Sequence, residues 1–467
     1  MYLKIAKFFL YASLFSVLIV LPTLYFPYIV GKATFFRTMI DLAVIAFAFY
    51  WAWEKGGERK KPEDNDQKIS WLKRLWVEQP LVIAVSVFAI AFTLSCVFGT
   101  NPWFSFWSNF ERGEGGFQIL HYTALFLLAA AILKKEAQWN TLFGVMTGIS
   151  LAVVGYGIGA ALKLPLFIGP AGLFSRLSGT LGNADYAGTF MIFSIFYAVF
   201  LISKKEVQAW IKWILGLCVA VFFGFMLLSQ TRGAIVGLGA GILAFLIYLA
   251  FKAAKKGWLR KGSQIVLAVF VILIALILGG QKYISKIKDC SICTRVLHIS
   301  FTDFTFKTRY WAWEAALQGW ENKPVFGWGP EEYSAAFDRH FNTNYYDPTV
   351  QGSETWFDRA HSIYFDYLAE TGAVGVLAFL GIFIVFFSQF FKRVKNNGEA
   401  ARNHSSGAAG HETSYPLSII QQGLLLSMLV AYLVQGIALF DVLPTYINLM
   451  LFLAFANYQF KKYGSRG

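Results

Sequence analysis

Charge is scarce in this chain, and acidic charge scarcest: 15% of its 467 residues are charged, with 27 Asp and Glu against 41 Lys and Arg. Together with 57% hydrophobic residues and a mean hydropathy of +0.52, that scarcity excludes a soluble domain. Cysteine is also rare, at four residues. Cys96 and Cys218 fall inside apolar runs and read as buried thiols. Cys290 and Cys293 form a C-x-x-C where oxidation is plausible, but they lack the second pair of a zinc site and any thioredoxin-like context. Asp64-Asn65-Asp66 spells the D-x-D of metal-dependent, nucleotide-sugar glycosyltransferases. It stands in a charged linker with no Gly-rich turn and no strand-helix alternation to hold a nucleotide. No half-to-half similarity is visible, which counts against a twelve-helix secondary transporter or lipid-oligosaccharide flippase built from two related halves. Lys4 and Lys7 precede the first apolar run as in a signal peptide, yet no clean small-x-small cleavage site follows and Pro22 lies within the run, so it reads as a retained helix.

What the chain does have is long apolar runs, each of a length to cross a bilayer core. They predict an all-α polytopic integral membrane protein with about twelve spans: 8–30, 36–53, 80–98, 117–133, 141–160, 185–202, 211–228, 233–251, 264–280, 372–391, 417–440 and 443–460. Three parts follow: helices 1 to 9 in residues 1–280, an outer loop domain in 281–371, and helices 10 to 12 in 372–467. The segments 1–7, 54–79, 134–140, 203–212, 252–263, 392–416 and 461–467 hold 26 of the 41 basic residues, whereas the intervening short loops hold six. By the positive-inside rule both termini are cytoplasmic. The remaining nine basic residues lie in 281–361 beside ten acidic ones, so that long segment faces outside. The formal net charge of +14 is therefore mostly a topology signal and an attraction to anionic membrane lipid, and nucleic acid is not an expected partner. The stretch 392–416 is rich in Gly, Ser and Asn and reads as a flexible cytoplasmic linker, with His404 and His411 solvated. The spacings Gly155, Gly157, Gly159 and Gly237, Gly239, Gly241 suggest tight helix packing.

Polar residues gather on the predicted outer face. Arg112 lies among aromatics and glycines; Arg176, Asn183 and Asp185 stand at a helix entrance; Arg232 follows Ser229-Gln230-Thr231 at the start of the eighth span. An arginine on the disfavoured side, beside small polar residues, is placed to meet an anion. The outer segment 281–361 carries seventeen Phe, Trp and Tyr in eighty-one positions and is expected to fold as a helical lid. After Arg309 the run YWAWEAALQGW predicts a helix with Trp313, Ala316, Leu317 and Trp320 on one packed face, stopped at NKPVFGWGP. Residues 353–375 then place His361 before an apolar run in the pattern H-S-x9-G-x-x-G. In a continuous helix His361, Leu368 and Gly372 would share one face, Gly375 would follow about a turn later, and the imidazole would stand roughly 16 Å above the small residues.

SQTRGAIVGLGAG, RYWAWEAALQGWENKPVFGWGPEEY, the histidine stretch and SGTLGNADYAGTF resemble, in order and topology, segments of the O-antigen ligase and O-antigen polymerase-like superfamily, across about residues 100–440. The resemblance implies a GT-C-like membrane glycosyltransferase in the bacterial cytoplasmic membrane, with its large loop between helices 9 and 10 and its active site on the periplasmic face. It implies no metal or other cofactor, and a glycan donor linked to undecaprenyl diphosphate. The acceptor would be a lipid A-core (as in a ligase), a growing glycan (a polymerase) or a protein (an O-oligosaccharyltransferase). It also implies His361, Arg232 and Arg309 as the catalytic set, with Arg112 and Asn183 as substrate contacts; Arg176, at the same helix entrance as Asn183, is expected as a further substrate contact from its position alone.

The chemistry of these side chains agrees with that expectation. Guanidinium forks can hold a diphosphate leaving group as charge builds on its bridging oxygen, and an imidazole near neutrality can take the proton of an attacking hydroxyl. His361 is thus a general base, or else a group that positions acceptor or phosphate. Asp366 could orient the imidazole only if the helix bends between them. Asp303, Asp338 and Asp358 are further carboxylates on that side.

Overall fold

The computed structural model describes residues 1–54, 79–253, 257–281, 304–346, 355–404 and 417–462. Asp64 and Asp66, Cys290 and Cys293, Asp303 and His411 lie outside them. The described residues are helical, with no strand among them. In chain order the helices are α1 (Tyr2–Leu14), α2 (Val30–Phe49), α3 (Pro80–Phe98), α4 (Pro102–Trp107), α5 (Gly116–Ile132), α6 (Glu136–Ala161), α7 (Ala184–Ile202) and α8 (Ala209–Ser229). Then come α9 (Arg232–Lys252), α10 (Trp258–Gly279), α11 (Phe304–Asn322), α12 (Tyr333–Arg339), α13 (Ile363–His404), α14 (Ile419–Gln435) and α15 (Leu443–Lys462).

Eight of the described helices are long and apolar enough to cross a membrane: α2 with its π-helical extension, α3, α6, α7, α8, α9, α10 and the part of α13 up to Val394. Each coincides with one of the twelve predicted apolar runs. The other four runs differ in instructive ways. Residues 8–30 are not one helix: α1 ends at Leu14, a 3-10 turn follows to Leu18, and the Pro22 to Pro27 stretch is non-helical. The helices at 117–133 and 417–440 are 17 residues each, α5 and α14. In α15 every residue from 443 to 457 is buried, so its polar groups meet protein: the Tyr197 hydroxyl donates to Asn448 Oδ1 at 2.7 Å. An interhelical bond of this kind contributes about 1 kcal/mol in lipid, where close packing replaces the hydrophobic drive. By contrast α10 buries only Ser263 and turns its apolar surface outward.

The glycine spacings separate into two kinds. A Cβ on Gly237 or Gly241 would meet α14 at Gln435, Ala431 or Ser427 within 2.9 Å, and one on Gly157 or Gly159 would strike the Phe225 or Phe167 ring. Gly155 faces open space and Gly239 makes only an ordinary contact with Phe270.

On the side of the bundle carrying the histidine motif, α11, α12 and the segment before α13 form a small second core. It is built from Ala315, Ala316, Tyr333, Phe337, Tyr345, Phe357, Ala360 and Ala369. The face α11 buries is therefore the small-residue one, Thr308, Ala312, Ala315, Ala316 and Gly319, which corrects the expected tryptophan face. Leu317 is exposed, and Trp313 is half-buried in a stack on Phe365 with ring centroids 5.2 Å apart. Small residues win because Tyr333 and Phe337 of α12 fill the space between the helices.

The continuous helix expected through 361–375 is also corrected. Helix α13 begins only at Ile363 and is broken at Gly372 (φ 62°, ψ −165°). The segment 324–329 docks against the break: Ala373 N–H donates to Pro324 O at 2.8 Å and Val374 N–H to Val325 O at 3.1 Å. In the other direction Trp328 N–H and Gly329 N–H both donate at 2.9 Å, to Ala369 O and Glu370 O. A Cβ on Gly372 would lie 2.4 Å from Val325 O, and the left-handed backbone itself favours glycine. The close approach at this glycine is thus made by the segment 324–329 and not by a neighbouring helix. Helix α13 continues to His404, so the first part of the 392–416 stretch is helical and not linker.

Candidate functional site

His361 sits in the turn that leads into α13, in the left-handed region at φ 56°. Strain of this kind persists only where neighbours over-determine it, and here they do. Asp366 Oδ1 accepts from Ala360 N–H at 2.6 Å. Ile363 N–H donates to Gly436 O and Leu439 O at 3.0 and 3.1 Å, and the Tyr364 hydroxyl donates to Leu433 O at 2.7 Å. The imidazole stands edge-on between Phe357 and Phe440, with centroids 5.1 and 5.4 Å away. Its Nδ1 lies 3.1 Å from Arg359 O. A carbonyl can only accept, so Nδ1 carries the proton and, in the neutral ring, Nε2 keeps its lone pair. Burial pushes the imidazole pKa down to about 4, Arg309 pushes the same way, and the Arg359 carbonyl opposes them. The ring is neutral at pH 7.

Two arginines beside it are tied to carboxylates. Arg112 grips Asp358 with two bonds, Nε to Oδ2 at 2.6 Å and Nη2 to Oδ1 at 2.9 Å, and donates to the Tyr186 hydroxyl at 3.2 Å. Burial pushes the Asp358 carboxyl up, but the hydrogen bonds and charge of Arg112 together with the Arg359 charge outweigh it and hold the group below its ordinary value. Arg359 is buried; its Nη1 donates to both oxygens of Glu370 at 2.9 and 3.0 Å and its Nη2 to Glu331. The two guanidiniums lie over the same Phe440 ring, at 5.3 and 5.7 Å.

A second group forms at the start of α7 and of α9, within reach of Arg309 on α11. Asn183 is the N-cap of α7, its Oδ1 accepting from Asp185 N–H at 2.7 Å. Asp185 accepts from Arg176 Nη2 at 2.6 Å and from the Thr231 hydroxyl at 3.1 Å. Arg176 Nε is buried with no hydrogen-bond partner among the described residues. Arg232 opens α9. Burial lowers the Arg309 pKa, Asp185 opposes this, and Arg176 and Arg232 lower it further, so these three residues lie within electrostatic reach of Arg309. Arg309 in turn acts on His361.

The structure therefore brings Arg309 within electrostatic reach of His361 and also of Arg232 and Arg176. It engages Arg112 with Asp358, Asn183 with its helix cap, and Asp338 with the Trp356 indole at 2.8 Å. Asp366 does not touch the imidazole. Sequence reasoning missed Arg359, Glu331 and Glu370.

No curated protein matches the chain. Residues 217–380 match the O-antigen ligase family model, a segment that runs from within α8 to within α13 and contains Arg232, Arg309, His361, Gly372 and Gly375. Arg112, Arg176 and Asn183 lie before it. Over this segment the chain is similar to the O-antigen ligase family, and the match supports the resemblance to the O-antigen ligase-like superfamily.

Proposed function

We propose that the protein is a multi-pass membrane glycosyltransferase of the O-antigen ligase type, with twelve spans and cytoplasmic termini. It moves a glycan from an undecaprenyl diphosphate carrier to an acceptor hydroxyl outside the cytoplasmic membrane, without a metal. One observation carries the reading: a neutral imidazole whose Nε2 is kept unprotonated lies within electrostatic reach of Arg309, which shares its neighbourhood with Arg176 and Arg232.

The reaction is a single displacement with inversion at the anomeric carbon. The acceptor oxygen forms the new bond to that carbon as its proton passes to His361 Nε2. The carbon–oxygen bond to the diphosphate breaks, and its electron pair leaves with the bridging oxygen. Arg309 and Arg232 hold the departing charge, and Arg176 assists through its buried Nε. Arg112 supports the site by holding Asp358, close to His361 in sequence and in space.

The test is transfer from a defined undecaprenyl diphosphate oligosaccharide by His361→Ala, Arg232→Ala and Arg309→Ala proteins purified at normal yield. Loss of transfer in all three supports the assignment, and near-full activity in all three removes it. Offering lipid A-core, a second glycan chain and a protein in the same assay identifies the acceptor. Movement of labelled carrier lipid across vesicles without any transfer product would assign the chain to transport instead.

A further inference from the structure

We infer that Asp366 is a positioning residue that sets the tautomer of His361 through the Arg359–Ala360 peptide, without touching the ring. The inference rests on the reading of His361 as the base.

The N–H of Ala360 and the C=O of Arg359 are the two ends of one peptide plane. The described residues contain no cis peptide, so these ends point in opposite directions. Asp366 Oδ1 takes the N–H end at 2.6 Å, which turns the C=O end toward His361 Nδ1 at 3.1 Å. If the plane rotated by half a turn, an N–H would face Nδ1, and the ring would have to carry its proton on Nε2 and lose its basic lone pair on the acceptor side. The carboxylate is itself anchored, because its residue lies in the first turn of α13 with Asp366 N–H donating to Ser362 O at 2.9 Å. The other side of the plane is held as well, since the Arg359 side chain is locked by Glu331 and Glu370. Asp366 is 4% exposed, too buried to serve as a solvated surface charge. The groups that act on the imidazole are Arg309, Asp358, Arg112 and the Arg359 carbonyl, and Asp366 reaches it only through that carbonyl.

The experiment is nitrogen-15 NMR of the full-length protein labelled at histidine, with the His361 signals assigned by their loss in His361→Gln. It is paired with kcat and donor KM for Asp366→Asn, Asp366→Ala and Asp366→Leu. Wild type is expected to show protonated Nδ1 and unprotonated Nε2. Asn keeps an acceptor oxygen for Ala360 N–H and should preserve both the tautomer and the rate. Ala and Leu should mix the tautomers and lower kcat about 10- to 100-fold with donor KM unchanged, the scale expected when a reacting group is slightly misplaced. Leu matches the lost volume should Ala fold poorly.

A proton on Nε2 in the wild type overturns the inference, as does an unchanged tautomer in a folded Ala or Leu protein. Equal damage from Asn and Leu would also sink it, since the carboxylate would then be acting by charge beside Arg359. If His361→Gln transfers glycan at the wild-type rate, the base role fails, and the NMR measurement still decides whether Asp366 sets the ring.

Discussion

Two sets of arginines flank the histidine, and they are built differently. Arg112 and Arg359 face Asp358, Glu331 and Glu370, and each makes at least three hydrogen bonds to protein. Around Arg309 the balance is reversed, with Arg176 and Arg232 nearby and Asp185 the one described carboxylate acting on it. The first arrangement is a neutralised buried network of the kind that fixes a conformation. The second gathers positive charge that an anionic ligand would stabilise. The same residue type is thus neutralised by carboxylates in one set and left with an excess of positive charge in the other.

The comparison can be broken most sharply at the histidine itself. His361→Gln is expected to lower transfer by about 10²- to 10⁴-fold with little change in thermal stability, measured as kcat on purified protein beside its unfolding temperature. Arg309→Ala and Arg232→Ala should each lower kcat by about 10²- to 10³-fold, the scale for removing one donor to a developing oxyanion, again with the fold intact. Arg359→Met should do the opposite. Stranding Glu331 and Glu370 costs about 3 to 5 kcal/mol, so reduced stability or yield should dominate its phenotype. A cycle of Arg112→Gln and Asp358→Asn should give a smaller coupling, within about 0.5 to 3 kcal/mol by thermal unfolding, because that pair is partly exposed.

The smallest effect concerns pH. Burial and Arg309 hold the imidazole near 4, so kcat/KM for the donor should stay level down to about pH 5 and fall as pH drops through about 4, where Nε2 is protonated. Arg309→Gln removes a cation that disfavours the imidazolium, so the residual activity of that variant should fall off at a higher pH than wild type. An unshifted limb would separate Arg309 from the histidine.

Eight long apolar helices were legible because hydropathy is local. A run such as 80–98 needs no distant information to be read, and the helix Pro80–Phe98 follows it. His361, Arg232 and Arg309 drew attention in the sequence because they stand in motifs with distinct spacing, and their proposed roles rest on that and on the electrostatic links of Arg309 to the other two. The break at Gly372 was not: a glycine in an apolar run reads as a packing residue, and its backbone geometry is imposed by residues 324–329, about fifty positions away. The Arg359 cluster was hidden for the same reason, since its acidic partners come from positions 331 and 370. Asp366 lay in plain view with the wrong connection, because its effect on the imidazole passes through a peptide plane. On α11 the large aromatics drew attention to one face while alanines and a glycine made the buried one.

The central claim is that the cations around Arg309 form the diphosphate site served by His361. Its most direct test is equilibrium binding of a labelled undecaprenyl diphosphate oligosaccharide to His361→Gln protein, in which turnover is expected to be blocked, with and without Arg309→Ala. Donor affinity close to wild type in the single variant and a loss of at least about tenfold in the double variant is the expected result. Equal affinity in the two proteins would contradict the account.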